Sequence, residues 1–141
     1  MRILVKKMED KNKKYINSFS DLDVYQRLSR LRKVVLIKII VKLPKEERYD
    51  LIDQMRRACK AACAILAEGF AKRFQINHWK KYLTDVIGEC NEMIDHLTVV
   101  QDIYSEYVNK DSIQIIKNEY EIAIKQLVTL GKSWISYHQN K

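Results

Sequence analysis

Glycine and proline are almost absent from this chain of 141 residues, which contains three glycines and one proline. These two residue types interrupt helices and form turns, so a chain with few of them has few places to reverse direction. The scarcity argues against many short strands and favours a few long helices. The length suits one domain with a hydrophobic core of its own. We therefore predict an all-α protein.

Cysteines and long apolar runs are also few. The three cysteines are Cys59, Cys63 and Cys90, and an odd number without secretory features indicates free thiols in a reducing cytoplasm. The N-terminal apolar run is too short for a signal peptide. The longest later run, residues 34–41, is interrupted by Lys38 and is far below the ~20 residues of a membrane span. We expect a soluble cytoplasmic protein that does not contact a membrane.

Motifs for catalysis and for cofactor binding are missing as well. The sequence has no P-loop, no nucleophile elbow and no zinc-protease motif. Glu92 and His96 could share a metal, but the chain lacks the further ligands of a di-iron bundle, and we interpret the pair as part of a solvated helix face. The three cysteines fall short of a zinc set, and we interpret them as small core residues. We expect no enzyme activity, catalytic residue, cofactor or metal.

Apolar residues recur at steps of three and four in four segments, the spacing of helices that pack in a bundle. The first segment has Val24, Leu28, Leu31 and Val35. The second has Leu51, Met55, Ala58, Ala62, Ile65 and Gly69. The third has Trp79, Leu83, Val86, Cys90, Met93, Leu97, Val100 and Tyr104. The fourth has Ile113, Ile116, Tyr120, Ala123, Leu127, Leu130, Trp134 and Tyr137.

This pattern predicts an antiparallel, up-down four-helix bundle. We place the bundle at residues 18–141, with helices at about 20–42, 45–73, 77–107 and 112–138. Ser18 or Ser20 can cap the first helix, and Asn77 can cap the third. Residues 1–17 are rich in lysine and lack a sustained period, so we expect a flexible basic arm there.

The second half of helix 1, residues 34–41, is apolar on nearly every side. Its β-branched residues would also suit a strand, but no other segment offers a strand partner. A helix that is apolar all round must be covered all round, and three partner helices cannot easily do this. We predict a homo-oligomer interface at Leu36, Ile37, Ile40 and Val41.

A second stripe on helix 2 consists of Arg57, Ala61, Ala64 and Glu68. If helices 2 and 3 form a hairpin, Arg57 lies near Glu89 and Glu92. Glu68 then lies near Lys80 or Lys81. We predict that a helix 3 carboxylate, or its equivalent in a neighbouring subunit, holds Arg57 and that these charges are structural. We also expect Gly69 to allow close helix approach near the corner.

The net charge of +8 is unevenly distributed. Residues 1–17 and 18–43 each carry +4, whereas residues 75–107 carry −4. Such a distribution is compatible with a polyanionic partner, RNA or DNA, contacted through phosphates rather than bases. The alternatives are a solvated basic surface and neutralisation of acidic helix 3 inside the bundle. The candidate ligands are Arg27, Arg30, Lys38, Arg56, Lys60, Lys72, Arg73, Lys80 and Lys81. His78 beside Trp79 could stack a base or simply anchor a helix start.

Several blocks occur in the order found in one bacterial family. Residues 19–26 read FSDLDVYQ, a turn with proline and acids follows at 43–47, and residues 54–58 read QMRRA. Residues 66–69 read LAEG, and helix 3 has Trp79, Tyr82, Leu83, Gly88 and Glu92 at matching positions. Residues 18 to about 104 thereby resemble the four-helix-bundle proteins called 23S rRNA intervening-sequence proteins. The chain departs from the family at Ile65, commonly Asn, and at Glu89, commonly Ser.

The resemblance implies a short bundle that assembles as a ring, typically a pentamer. Related accessory proteins of diversity-generating retroelements bind nucleic acid and a reverse transcriptase. The ribosomal label reflects gene location and does not imply a place in the ribosome. Two functions from different classes are therefore open: an oligomer that binds RNA or DNA without sequence preference, with a nucleic-acid enzyme as a further partner, and a protein-interaction scaffold whose charge is incidental.

Overall fold

The computed structural model describes residues 16–139, with side chains to Trp134. Four helices form the described part: α1 (Asp23–Val34), α2 (Leu51–Ala71), α3 (Ile76–Ile103) and α4 (Lys110–Gln139). No strand occurs within these residues, so the all-α prediction is confirmed, as is the choice of helix over strand for residues 34–41. The predicted arm falls mostly at residues 1–15, outside the described residues.

Each helix packs against two others, α1 and α3 both lying on α2 and α4. The α2–α3 and α3–α4 connections are short, whereas residues 35–50 join α1 to α2 through a series of turns. Helix α1 does not contact α3 in the described structure. This is the up-down four-helix arrangement, with α1 and α3 on one diagonal. The predicted apolar seams point into the bundle: Met55, Trp79, Cys90, Ala123 and Leu127 are all buried. Ile65 and Tyr104 are the two seam residues with described side chains that stay partly exposed.

The chain enters α1 through a short 3-10 turn, Phe19–Asp21, which Ser18 caps as predicted. The Ser18 hydroxyl accepts from the Ser20 amide at 3.1 Å, and the Asp21 carboxylate accepts from the Ser18 amide at 3.1 Å. These bonds satisfy amides that a helix start would otherwise leave unpaired. They fix the direction in which α1 leaves the turn.

Beyond Val34 the helix widens into a π-helical turn, Val35–Ile39, and then tightens into a 3-10 turn, Ile40–Lys42. A π turn inserts one residue and rotates the side chains that follow it. Ile39 and Ile40 therefore both point inward, while Ile37 and Val41 remain 57% and 67% exposed. The segment is covered on one side by its own chain and open on the other.

Helix α2 begins at Leu51, six residues after the predicted start at 45. The residues after Pro44 instead form a 3-10 turn, Lys45–Glu47. The Glu47 carboxylate accepts from the Leu51 amide at 3.0 Å, so the acid caps α2 from outside rather than from within its first turn. Helix α3 likewise starts at Ile76, with Gln75 and not Asn77 at the cap position.

Helices α2 and α3 approach each other closely at Gly69, as predicted. A Cβ atom at Gly69 would lie 2.5 Å from the Cβ of Tyr82, closer than Cβ atoms approach non-bonded neighbours in proteins. Helix α3 ends at Ile103, four residues before the predicted end at 107. The next helix begins where the Asn109 side chain accepts from the amides of Asp111 and Ser112 at 2.8 and 3.1 Å.

Candidate functional site

The structure separates the basic residues into those held by the bundle and those without a partner. Arg27 belongs to the first group. Its guanidinium donates to Glu119 at 2.7 Å and to Gln126 at 3.0 Å, both on α4. Arg27 is half-buried between α1 and α4, so its role in the chain is to join two helices. The prediction that it contacts phosphate has no support from this geometry.

At the α2–α3 corner, three of the four candidate cations have partners. Lys72 donates to the Tyr82 hydroxyl at 2.9 Å, which in turn donates to Glu68 at 3.1 Å. The bond from Lys72 to Tyr82 raises the pKa of Lys72. Lys81 forms an ion pair with Asp85 at 2.9 Å. Glu68 therefore lies beside Tyr82 of α3, and its cation is Lys72 rather than the predicted Lys80 or Lys81.

Arg73 lies over two aromatic rings at the same corner. Its guanidinium carbon is 3.9 Å from the centre of the Phe70 ring and 4.6 Å from that of Phe74. It also donates to the Phe70 carbonyl at 2.7 Å, and burial lowers its pKa. Arg73 therefore stabilises the corner, while Lys80 is exposed beside it without an ion pair to any described residue.

Trp79 cannot stack a base. It is fully buried, with ring centres 6.4 Å from Phe70 and 5.8 Å from Trp134. Among the two readings of the His78–Trp79 pair, the structure supports the anchoring of a helix start. The exposed aromatic residue at the corner is Phe74, which the sequence did not single out.

A groove of about 530 Å³ lies where the end of α1 meets the start of α2. We call it the basic groove. Its aliphatic lining residues, which we call its floor, are Leu36, Ile40, Val41, Leu43 and Ile52. Its charged lining residues, which we call its rim, are Lys45, Arg48, Arg56 and Lys60. The groove thus brings together residues predicted for two purposes, Leu36, Ile40 and Val41 for self-association and Arg56 and Lys60 for phosphate.

Three of the four acids of residues 30–60 have partners of their own. Glu47 accepts from the Tyr104 hydroxyl at 2.6 Å, and Asp50 accepts from Gln54 at 3.0 Å. Asp53 forms an ion pair with Arg57 at 3.0 Å. Residues 30–60 hold ten lysines and arginines against four carboxylates, a net charge of +6. The rim cations consequently have no carboxylate partner within residues 16–134.

Arg57 is not held by helix 3 within the chain. It is largely exposed, and its partner is Asp53, one turn earlier on α2. The prediction missed this pair because i, i+4 partners on one helix compete with partners on the next helix, and the nearer carboxylate is reached at lower entropic cost. The other half of the prediction, a carboxylate from a neighbouring subunit, stays a prediction.

The carboxylates predicted for Arg57 form an acidic face of their own on α3. We define the acidic face as Asp85, Glu89 and Glu92, which are four and three residues apart and so share one side of the helix. Burial raises the pKa of Glu89, and hydrogen bonding and repulsion from Glu92 and repulsion from Asp85 add to the effect. No cation of α1 or α2 pairs with this face among the described residues, and Lys81 is the one candidate cation that does, so neutralisation of helix 3 inside the bundle is limited there to the Lys81–Asp85 pair.

His96 and the cysteines lie in the core rather than on a solvated face. His96 is buried and lies 3.3 Å from Glu92, which corrects the interpretation of this pair as fully solvated. The three thiols are buried, and burial raises the pKa of Cys59 to about 11 and that of Cys90 to about 12. No set of three His, Cys, Asp or Glu suited to a metal occurs in the part of the chain that the structure describes.

None of the described helices is long and apolar enough to cross a membrane. Their packing, each helix on two others, and their shared apolar core define a four-helix-bundle protein. The sequence model of the 23S rRNA-intervening sequence protein family matches residues 20–129. The chain belongs to that family. No curated protein matches the chain.

The sequence did not predict four of the nine residues that line the basic groove. Lys45 and Arg48 were not among the candidate ligands, and Leu43 and Ile52 were not among the interface residues. A signal was present in residues 42–48, where three of seven residues are lysine or arginine next to Pro44. That density at a turn between two helices points to an exposed basic corner.

Proposed function

We propose that this protein is a non-enzymatic, homo-oligomeric helical bundle that binds RNA or DNA through the phosphate backbone without reading sequence. One observation carries the proposal. Eight cations at the α1–α2 side form no ion pair or hydrogen bond through their side chains with the described residues. They are Arg30, Lys33, Lys38, Lys42, Lys45, Arg48, Arg56 and Lys60.

Unpaired lysines and arginines of this kind suit phosphate. Neutralising the backbone releases counterions, which drives binding at low salt and requires no particular base. The eight cations come from two helices and the turns between them. Lysines and arginines mixed in this way, without an ordered base-reading motif, contact phosphates rather than base edges. Repetition of the basic side in several copies would raise the strength of binding through avidity.

The narrower form of the proposal concerns assembly and partners. The apolar residues Ile37 and Val41, exposed at the end of α1, support self-association. Five copies is the number that the family resemblance implies. The same resemblance supports an accessory role beside a nucleic-acid enzyme such as a reverse transcriptase.

A protein-interaction scaffold is the second candidate. The apolar floor of the basic groove favours it, because aliphatic side chains contribute nothing to a phosphate contact and much to a protein contact. The two functions differ in how they depend on salt. Phosphate binding weakens steeply as salt rises, whereas a contact centred on aliphatic side chains does not.

The test is a salt titration of binding to labelled single-stranded RNA and duplex DNA of unrelated sequences, read by fluorescence anisotropy. The test variant carries Arg30→Gln, Lys33→Gln and Lys38→Gln, three exposed cations of α1 and the π turn that continues it. The matched control carries Lys110→Gln, Lys125→Gln and Lys132→Gln, three exposed cations of α4.

We expect similar affinity for all sequences. For the α1 variant, the slope of log affinity against log salt concentration should be smaller in magnitude than that of the parent by about 2–3. This is close to one for each phosphate that the variant no longer neutralises. The α4 control should keep the slope of the parent protein. Absence of binding at low salt, or equal weakening in both variants, would overturn the proposal.

A further inference from the structure

The basic groove is built for an amphipathic partner. Five aliphatic residues form its floor and four cations form its rim, so an occupant should present apolar or small side chains bordered by carboxylates. A nucleic-acid backbone offers the negative charge but leaves the aliphatic floor against water and phosphate. A helix with acids along one side satisfies both parts of the groove.

The same chain carries a surface of this kind. The acidic face of α3 has three carboxylates on one side of a helix, and Glu89 is partly buried beside two other acids. Within the described residues this face has one cation, Lys81, which pairs with Asp85, and one contact from His96 to Glu92. The basic groove has excess positive charge and the acidic face has excess negative charge, so each lacks what the other provides.

Gly88 lies within the acidic face. A Cβ atom at this position would meet nothing within 4 Å, so the glycine is not needed for packing inside the chain. Glycine in a helix interior costs about 1 kcal/mol relative to alanine. A bare backbone at the centre of an exposed face allows another element to approach closely.

The two surfaces cannot meet within one molecule. The basic groove lies between α1 and α2, and α3 does not contact α1 in the described structure. We propose that the basic groove of one copy receives the acidic face of α3 from a second copy. The contact is head-to-tail, passing from each copy to the next, so it builds a ring where the rotation closes.

This inference rests on the self-association in the proposed function and names the two surfaces that meet. It also assigns Arg56 and Lys60 to the contact between copies. The exposed cations of α1, Arg30 and Lys33 among them, remain for phosphate. Self-association through these two surfaces therefore does not require nucleic acid, and binding of nucleic acid does not require this contact between copies.

Charge reversal of each surface provides the test, with mass read by light scattering on the full chain. The groove variant carries Arg56→Glu and Lys60→Glu, and the face variant carries Glu89→Lys and Glu92→Lys. Circular dichroism and melting curves confirm that both variants are folded. Each alone should lose association and approach the mass of one chain, 16.8 kDa.

Mixing the two variants is the decisive step. The face variant keeps an intact groove and the groove variant keeps an intact acidic face, so an equimolar mixture should form a pair of chains and grow no further. A contact of groove with groove would let the face variant, whose groove is intact, keep the parent mass on its own, and this result would overturn the proposal. A parent protein that is a single chain at every concentration, or variants that keep the parent mass, would overturn it too.

Two additional variants guard against misfolding as an explanation. Combining all four reversals in one chain should restore self-association, since both surfaces then change sign together. Gly88→Leu should lower association at least tenfold while melting as the parent does, because its side chain occupies open space in the single chain. Failure of the four-fold variant to associate, or unchanged association of Gly88→Leu, counts against the assignment. Binding of RNA by the face variant would show that the proposed function stands apart from this contact.

Discussion

Tyr104 and Glu47 lie 57 residues apart in the chain and form a hydrogen bond of 2.6 Å, with the tyrosine hydroxyl donating to the carboxylate. The bond joins the residue after α3 to the turn before α2. Glu47 uses its second carboxylate oxygen to cap α2 at the Leu51 amide. One acid therefore fixes both the start of α2 and the position of the basic groove beside it.

Stability at high pH should report this bond. The hydrogen bond to Glu47, with a smaller contribution from desolvation, raises the pKa of Tyr104 to about 12. A group whose pKa is raised by folding stabilises the fold below its unfolded pKa of about 10 and loses that contribution as pH rises through the folded value. The advantage of the parent protein over Tyr104→Phe should thus be full at pH 8 and shrink between about pH 10 and 12. Urea unfolding at each pH measures it, and an advantage independent of pH would contradict the assignment.

The two helix glycines at the α2–α3 side should respond to alanine in opposite directions. Gly69→Ala forces a Cβ atom against Tyr82, and overpacking of this kind costs about 1–3 kcal/mol. Gly88→Ala enters open space and should stabilise the single chain by up to about 1 kcal/mol. Urea unfolding below the association threshold gives both values. Equal effects of the two substitutions would mean that the close approach at Gly69 is not the cause.

The apolar spacing was sufficient to predict the core, because each helix repeats its buried positions at steps of three and four. Val24, Leu83 and Leu127 are buried as expected from that spacing alone. The helix ends were predicted less well. The start of α2 depends on Glu47, whose carboxylate is positioned by Tyr104 from beyond the end of another helix, and no local pattern contains that information.

The candidate site shows a similar division. The sequence identified Arg56 and Lys60 as exposed cations but could not tell that Arg27 is bound by Glu119, a residue 92 positions away. Charge pairs across a bundle depend on which helix faces meet. Heptad spacing does not fix the rotation of each helix about its axis closely enough to predict those pairs. The π turn at Val35–Ile39 adds a further rotation that no spacing rule predicts.

Arg27 should matter for stability and not for phosphate binding. Arg27→Met removes a charged hydrogen bond of 2.7 Å to Glu119 and a second bond to Gln126, and should cost about 1–2 kcal/mol. Arg30→Met, at an exposed position without a partner on the described chain, is the matched control. Melting curves should show a lower midpoint for Arg27→Met alone. If Arg27→Met melts normally and binds RNA more weakly, the residue is a phosphate ligand after all.

The exposed aliphatic residues at the end of α1 should control association without supporting the single chain. Ile37 and Val41 are 57% and 67% exposed, so Ile37→Ser with Val41→Ser removes little that the bundle itself buries. Ile40 is unsuitable for this test, since it is 5% exposed and a polar substitution there would unfold the core. The control is Ile103→Ser with Ile115→Ser, at 65% and 64% exposure near the α3–α4 connection.

We expect the α1 double variant to have a lower mass than the parent by light scattering at concentrations where the parent associates. The reason is that the contact between copies then buries less aliphatic surface next to Leu36 and Leu43 in the basic groove. The control should retain the parent mass, and both variants should melt close to the parent when dilute. Equally reduced mass in the two variants would point to general surface hydrophobicity rather than to this segment. A parent mass retained by the α1 variant would show that Ile37 and Val41 do not contribute to the contact between copies.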